Sequence, residues 1–292
     1  MPSLSEAVEA FMLSRQLIGC TAATIAGYRE ILGRFTRTTG ETWTEALAVH
    51  RHLVDLHAHM KPISVHRHYR GLRTFYGWAA DAGLVAANPL DGYAMRRAKT
   101  LPRVPEDEAV RRLLGACDMD TFEGRRNRAL IALLADSGLR IGEALRLRIE
   151  DVSFAARTLS VRAGKGRKDG VGFFGAEAAQ HLRAYLARRR EAQAEDFLLA
   201  DRHGRSLTRY TALKLMHRLS ARAGLPRRLG PHALRHYAAT SILKQTGDLE
   251  LVRQVLRHES LAMALQYARL TKPDVSAKFR RASPLDNLRA GR

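Results

Sequence analysis

Apolar residues recur at helical spacing throughout the first hundred positions. Ser3 with Glu6 has the form of a capping box, and Leu4, Val8 and Phe11 follow it as one stripe. Thr24 precedes a second stripe at Ile25, Tyr28, Leu32 and Phe35, and residues 44–60 carry a weaker third. A fourth runs from Ser64 through Val65, Tyr69, Leu72, Tyr76 and Ala79 and stops at Gly83 and the Asn88-Pro89 pair. Four helices in this length predict a small bundle.

Periodicity then lapses. Residues 92–105, GYAMRRAKTLPRVP, hold two prolines and four basic side chains, a composition that suits an extended linker held against phosphates. Helical spacing resumes at Val110, Leu113 and Leu114, and again at Leu130, Leu133 and Leu134, ending near Gly138. Thr158–Arg162 alternates as a strand, GKGRKDG reads as a glycine-rich turn, and Val171–Phe174 returns as a second strand. Beyond Gly175 the pattern is helical except at 197–208, FLLADRHGRSLT, which reads as a short strand and turn. The predicted fold class is mainly α. A four-helix domain over 1–95 is followed by a linker over 96–105. A mostly helical domain with a small inserted antiparallel β-sheet completes the chain over 106–292.

Composition bears on the partner. A chain of 292 residues with 46% apolar content can bury two cores, so disorder is excluded as its general state. Lys and Arg number 49 against 29 Asp and Glu, a net charge of +20. Such an excess is the footprint of a polyanion, most often nucleic acid, although a ribonucleoprotein role fits charge alone. Residues 101–292 carry most of it, and arginine, whose planar fork suits bidentate phosphate contacts, far outnumbers lysine. Arg96, Arg97, Lys99 and Arg103 in the linker, with Lys168 in the glycine-rich turn, are candidate DNA contacts.

Cys20 and Cys117 match no metal or disulfide spacing and read as small buried residues in a reducing compartment. The histidines of 50–68, in HRH, HAH and HRH, raise the question of a metal. Pairs at i, i+2 point to different sides of a helix, and no cysteines or HExxH arrangement support a site, so a polar, DNA-facing surface is the preferred reading. No cofactor or metal is expected. With no long apolar run and no leader-like amino terminus, the expectation is a cytoplasmic protein with no membrane partner.

Four stretches carry candidate chemistry. They are SGLRIGEALRLRIEDV at 137–152 with Arg140, GKGRK at 164–168 with Lys165, HALRHYAAT at 232–240 with His232 and Arg235, and RHESLAMALQYARL at 257–270 with His258 and Tyr267. Each has a dull local explanation: a surface arginine, a hairpin lysine, a satisfied histidine, a core tyrosine. In the last stretch, Leu261, Ala264, Leu265 and Ala268 form the apolar stripe, and Tyr267 falls about 100° from its centre, at the edge of the buried face. Together, and in this order, the four resemble the motifs of the tyrosine recombinase (phage integrase) family, in its Xer-like two-domain form. The chain departs from the family at two places. Arg257 stands where a glycine usually precedes the histidine of the last motif, which puts the local turn geometry in question. DGVGFF follows GKGRK where the family usually has an arginine and a proline.

The resemblance implies a site-specific recombinase that cuts and rejoins double-stranded DNA through a 3′-phosphotyrosyl intermediate and a Holliday junction, without ATP or metal. Tyr267 would be the nucleophile, its position off the stripe letting the hydroxyl reach DNA. Arg140 and Arg235 would stabilise the charge on the phosphate, His232 and His258 would add donors, and Lys165 would protonate the leaving 5′-oxygen, with Lys168 as the fallback. The two domains would clamp the duplex as a C. A homo-tetramer would act on two sites, the tail 271–292 packing on a neighbouring protomer or on DNA. An accessory DNA-bending protein or a partner recombinase is compatible with this scheme. Rival readings are a type IB topoisomerase that nicks and reseals one duplex, a DNA-binding protein without recombinase activity, and a metal-dependent nuclease. The last lacks a convincing carboxylate cluster. The chromosomal or mobile-element setting and the target sequence are not encoded in these motifs.

Overall fold

Two compact units, Met1–Thr100 and Leu101–Arg292, make up the computed structural model. It describes residues 2–95, 104–162, 169–258 and 260–271. The linker candidates Arg96, Arg97, Lys99 and Arg103, the turn lysines Lys165 and Lys168, and all of the tail but Thr271 lie outside the described residues.

The first unit contains four α-helices: α1 (Leu4–Leu17), α2 (Ala22–Thr39), α3 (Ala46–His59) and α4 (Pro62–Asp81). Ser3 and Glu6 form the expected capping box, with Ser3 N–H donating to Glu6 Oε2 at 2.7 Å. A 3-10 turn over Gly40–Thr44 links α2 to α3 and buries Trp43. Phe11 meets Phe75 edge-on at 5.4 Å, and Phe75 meets Tyr76 likewise at 5.2 Å, so the core is held by interlocked aromatic rings. The Tyr76 hydroxyl donates to the Trp43 carbonyl at 2.6 Å, which satisfies its one polar atom.

The histidine-rich stretch is not simply a polar surface. His52 and His68 are buried, and His52 stands edge-on to Phe35 at 5.0 Å. His52 Nδ1 lies 2.7 Å from Thr38 Oγ1. Spacing placed these residues on helices, but only packing reveals which turn of each helix faces inward. Burial pushes His52 down to about 4.

The second unit begins with α5 (Asp107–Gly115) and α6 (Phe122–Ser137), followed by the single-turn α7 (Ile141–Ala144). Strands β1 (Val152–Ser153), β2 (Thr158–Val161) and β3 (Gly170–Phe173) form an antiparallel sheet in the order β1-β2-β3. Leu159 pairs with Gly172 and Val161 with Gly170. Then come α8 (Ala176–Leu186), α9 (Arg209–Arg222), α10 (Pro231–Thr246), α11 (Leu249–Val255) and α12 (Leu261–Thr271). Helix α6 is buried along most of its circumference, with Ala129–Leu134 forming an apolar run and Arg126 and Asn127 hydrogen-bonded to each other, and packs on α8 and α10. The strand expected within 197–208 is reduced to isolated bridges, Arg148 with Phe197 and Ala200 with Ser206. Leu198 and Leu199 are apolar because they are buried, not because they belong to a ladder. Cys117 is buried, which raises its thiol to about 11, whereas Cys20 is only half-buried. No helix among the described residues is long and apolar enough to cross a membrane.

Candidate active site

Helix α6 stops because Gly138 takes a left-handed conformation, φ 61°, as its C-cap. The chain turns there and Arg140 becomes the N-cap of α7. Its backbone N–H donates to Glu143 Oε2 at 2.8 Å and its Nη1 to Glu143 Oε1 at 3.1 Å. The arginine side chain remains 28% exposed, enough to meet a ligand.

Pro231 at the first turn of α10 sets the start of the helix that carries His232, Arg235 and His236. His232 is exposed, whereas Arg235 is 4% exposed. Arg235 is held by two backbone carbonyls: Nη1 donates to Gly138 O, and Nη2 to Leu256 O at 2.7 Å. The ends of α6 and α11 are thus tied to one guanidinium. Burial, with Arg140 nearby, lowers Arg235 to about 10, so it remains charged at neutral pH.

His258 follows the end of α11, buried, with Nδ1 lacking a hydrogen-bond partner among the described residues. Burial first, then the charges of Arg235 and Arg140, push it down to about 4. It is neutral near pH 7. It stacks on Tyr267, with ring centroids 6.1 Å apart and planes inclined by 13°.

Tyr267 departs from its expected position at the edge of the buried face. It is 1% exposed and packs with Ala239, Leu243, Val252, Leu256 and Ala264, while Leu261 and Leu265 are exposed. The buried edge of α12 is therefore Ala264–Tyr267–Ala268, because these residues face α10 and α11. Burial raises the phenol above its ordinary value, while Arg235 and Arg140 pull it down. Its hydroxyl lies 3.2 Å from His236 Nδ1.

The described structure brings Arg140, Arg235, His258 and Tyr267 into one neighbourhood. His232 borders it: burial first, then His232 and Arg235, lower His236 below its ordinary value. Sequence reasoning passed over two participants. Glu143 orients Arg140, and its signal is the acid three residues after the arginine in LRIGE. His236 meets the tyrosine, and its signal is the second histidine of HALRH, four residues after the first and so on the same face. The site offers cationic and neutral donors around a phenol, an arrangement suited to binding a phosphodiester and attacking it with oxygen.

Comparison with known proteins agrees. Residues 103–273 match the model of the phage integrase family. The chain is 30% identical over 286 residues to the tyrosine recombinase XerC of Chromobacterium violaceum, covering 96% of this chain and 95% of that one. It is 31% identical over 284 residues to XerD of Ralstonia nicotianae, covering 93% and 92%. Among solved structures, XerH bound to a palindromic difH substrate in a post-cleavage complex superposes with a TM-score of 0.72. That match has 21% identity and covers 97% of this chain and 85% of the other, a likeness of fold.

Proposed function

The chain belongs to the phage integrase family, and from that premise we propose that Tyr267 attacks a DNA phosphodiester in site-specific recombination. The activity is that of a tyrosine recombinase. One observation carries the assignment of Tyr267: a single phenol stacks on His258, meets His236, and lies within the field of both Arg140 and Arg235.

Attack forms a bond from the Tyr267 oxygen to phosphorus and breaks the bond to the 5′-oxygen, leaving a 3′-phosphotyrosyl ester. The phenol has an unperturbed pKa near 10, so its proton must leave as the bond forms. His236 Nδ1, at 3.2 Å, is positioned to accept that proton. Charge grows on the two non-bridging oxygens, where Arg140 and Arg235 supply forked donors, and His232 and His258 add further ones. Lys165 is assigned the proton for the leaving 5′-oxygen, with Lys168 as substitute. The ester conserves the energy of the broken bond, so a second 5′-hydroxyl reseals the strand without ATP. Because Tyr267 is buried, reaching the phosphate requires α12 to yield at this edge.

Residues 1–95 are assigned to DNA binding as a core-binding domain and 106–292 to catalysis. The basic linker 96–105 and Lys168 lie along phosphates in this reading. A homo-tetramer on two sites, exchanging strands through a Holliday junction, completes it. The test is covalent capture. Wild-type protein should form a denaturant-resistant adduct with the 3′ end of a nicked duplex, in EDTA, and peptide mapping should find Tyr267 in it. Tyr267→Phe should fold and bind DNA as before but form no adduct. An adduct that survives this change, or maps to Tyr237, would overturn the assignment.

A further inference from the structure

Arg257 occupies a backbone corner that side chains rarely adopt. It follows α11 with φ 51°, one of two positive values at non-glycine positions among the described residues. Glycine would accept this conformation without strain. The local turn is therefore kept, and the side chain must account for the arginine.

From that corner the guanidinium reaches Glu143: Nη2 donates to Oε2 at 2.6 Å, with both side chains largely buried. The same oxygen accepts the Arg140 backbone N–H, and the other accepts Arg140 Nη1. One carboxylate thus serves two arginines. Burial alone would raise Glu143, but Arg257 and then Arg140 hold it below its ordinary value. On the way, the arginine crosses β3. A Cβ added at Gly170 would stand 2.7 Å from Arg257 Cδ, and one at Gly172 would stand 3.4 Å from Nη1. The first is a collision with the stem, whereas the second is ordinary van der Waals contact, so the strand must lack a side chain at Gly170 for the arginine to pass. Arg257 therefore joins three segments remote in sequence: the turn before His258, strand β3 and helix α7.

We propose that Arg257 is a positioning residue for the phosphate-binding arginine. It fixes Glu143 and takes up part of its charge, so that Arg140 keeps donors and positive field for the phosphate. Gly170 is the clearance that admits it. The two departures from the family motifs, arginine at 257 and DGVGFF after the turn, are one compensated feature. The inference rests on the reading of Arg140 as a phosphate ligand.

The test uses the full chain and a duplex selected by it from a randomised pool, rebuilt as a nicked suicide substrate. Adduct formation is measured in a single turnover at saturating protein. Absence of a wild-type adduct would count against the recombinase chemistry itself; the remaining outcomes concern Arg257. Arg257→Gly relieves the strained corner, so the thermal midpoint and DNA affinity should hold while adduct formation slows on the order of ten- to a hundredfold. Gly170→Ala should slow wild-type protein comparably, yet cause no further loss in the Arg257→Gly background. The same non-additivity should appear in the thermal midpoints of the four proteins. Cleavage by Arg257→Gly at the wild-type rate would overturn the proposal. So would a fall in midpoint matching the fall in rate, or a Gly170→Ala effect that adds in full to the other.

Discussion

At the residue scale, the two arginines assigned to the phosphate are built differently, and the difference can be measured. Arg140 is tethered through Glu143 and partly exposed, so Arg140→Ala should slow adduct formation by about a hundredfold or more while the fold persists. Arg235→Ala should lose comparable activity and stability as well. Its guanidinium satisfies the buried carbonyls of Gly138 and Leu256, and each orphaned acceptor costs about 1–3 kcal/mol. Denaturant titration of the two variants should separate them, and equal midpoints would contradict the buried bracing role of Arg235. His236 and Glu143 belong to the same scale: neither is conspicuous as a residue type, and each matters for the atom it touches.

At the scale of elements, a helix periodicity gives a face, and the neighbours decide how much of that face is buried. Helix α12 has Leu261 and Leu265 on its apolar stripe, yet Ala264 and Tyr267 form the buried edge because α10 and α11 meet the helix there. In α3 and α4, His52 and His68 were drawn into the core, and this has a pH consequence. His52 titrates near 4 in the folded chain against an ordinary 6.5, with burial the first cause; His68 is lowered in the same direction. The folded state thus binds these protons less readily than the unfolded one. Stability is full above about pH 6.5 and declines as pH falls towards 4. Trp43 and Trp78 are the chain's only tryptophans and both lie in this unit, so their fluorescence reports its unfolding. The unfolding free energy from urea titration followed this way should drop between pH 7 and pH 5, above the ordinary carboxylate range, by on the order of 1–2 kcal/mol. A flat profile would mean that these histidines can be protonated without loss of the fold.

At the scale of the whole molecule, the net charge of +20 sets how the protein meets DNA. Phosphate neutralisation releases counterions, so log affinity should fall with log salt by about 0.9 for each phosphate contacted. A nearly flat titration on duplex DNA would contradict a phosphate-dominated interface. Removing Arg96, Arg97 and Lys99 together should make that slope shallower and weaken binding to unrelated duplexes alike, since phosphate contacts carry no direct sequence information. Loss confined to one sequence would instead assign base reading to the linker.

The sequence by itself determined the helical bundle, the inserted hairpin and the family. These follow from periodicity, turn residues and motif order, all local or ordered along the chain. The capping box at Ser3 and the helix stop at Gly138 were legible for the same reason, being set by residues within a few positions of each other. Tertiary structure alone decided what is close across large sequence separations. It put His236 beside Tyr267, gave Arg235 the carbonyls of Gly138 and Leu256, and laid Arg257 over the glycines of β3 against Glu143. It also buried the tyrosine that periodicity had left at an edge, and reduced the expected strand in 197–208 to isolated bridges. A motif lists which groups are present. Which donor meets which acceptor depends on how helices rotate to fill a shared core, and that is a property of the packed whole.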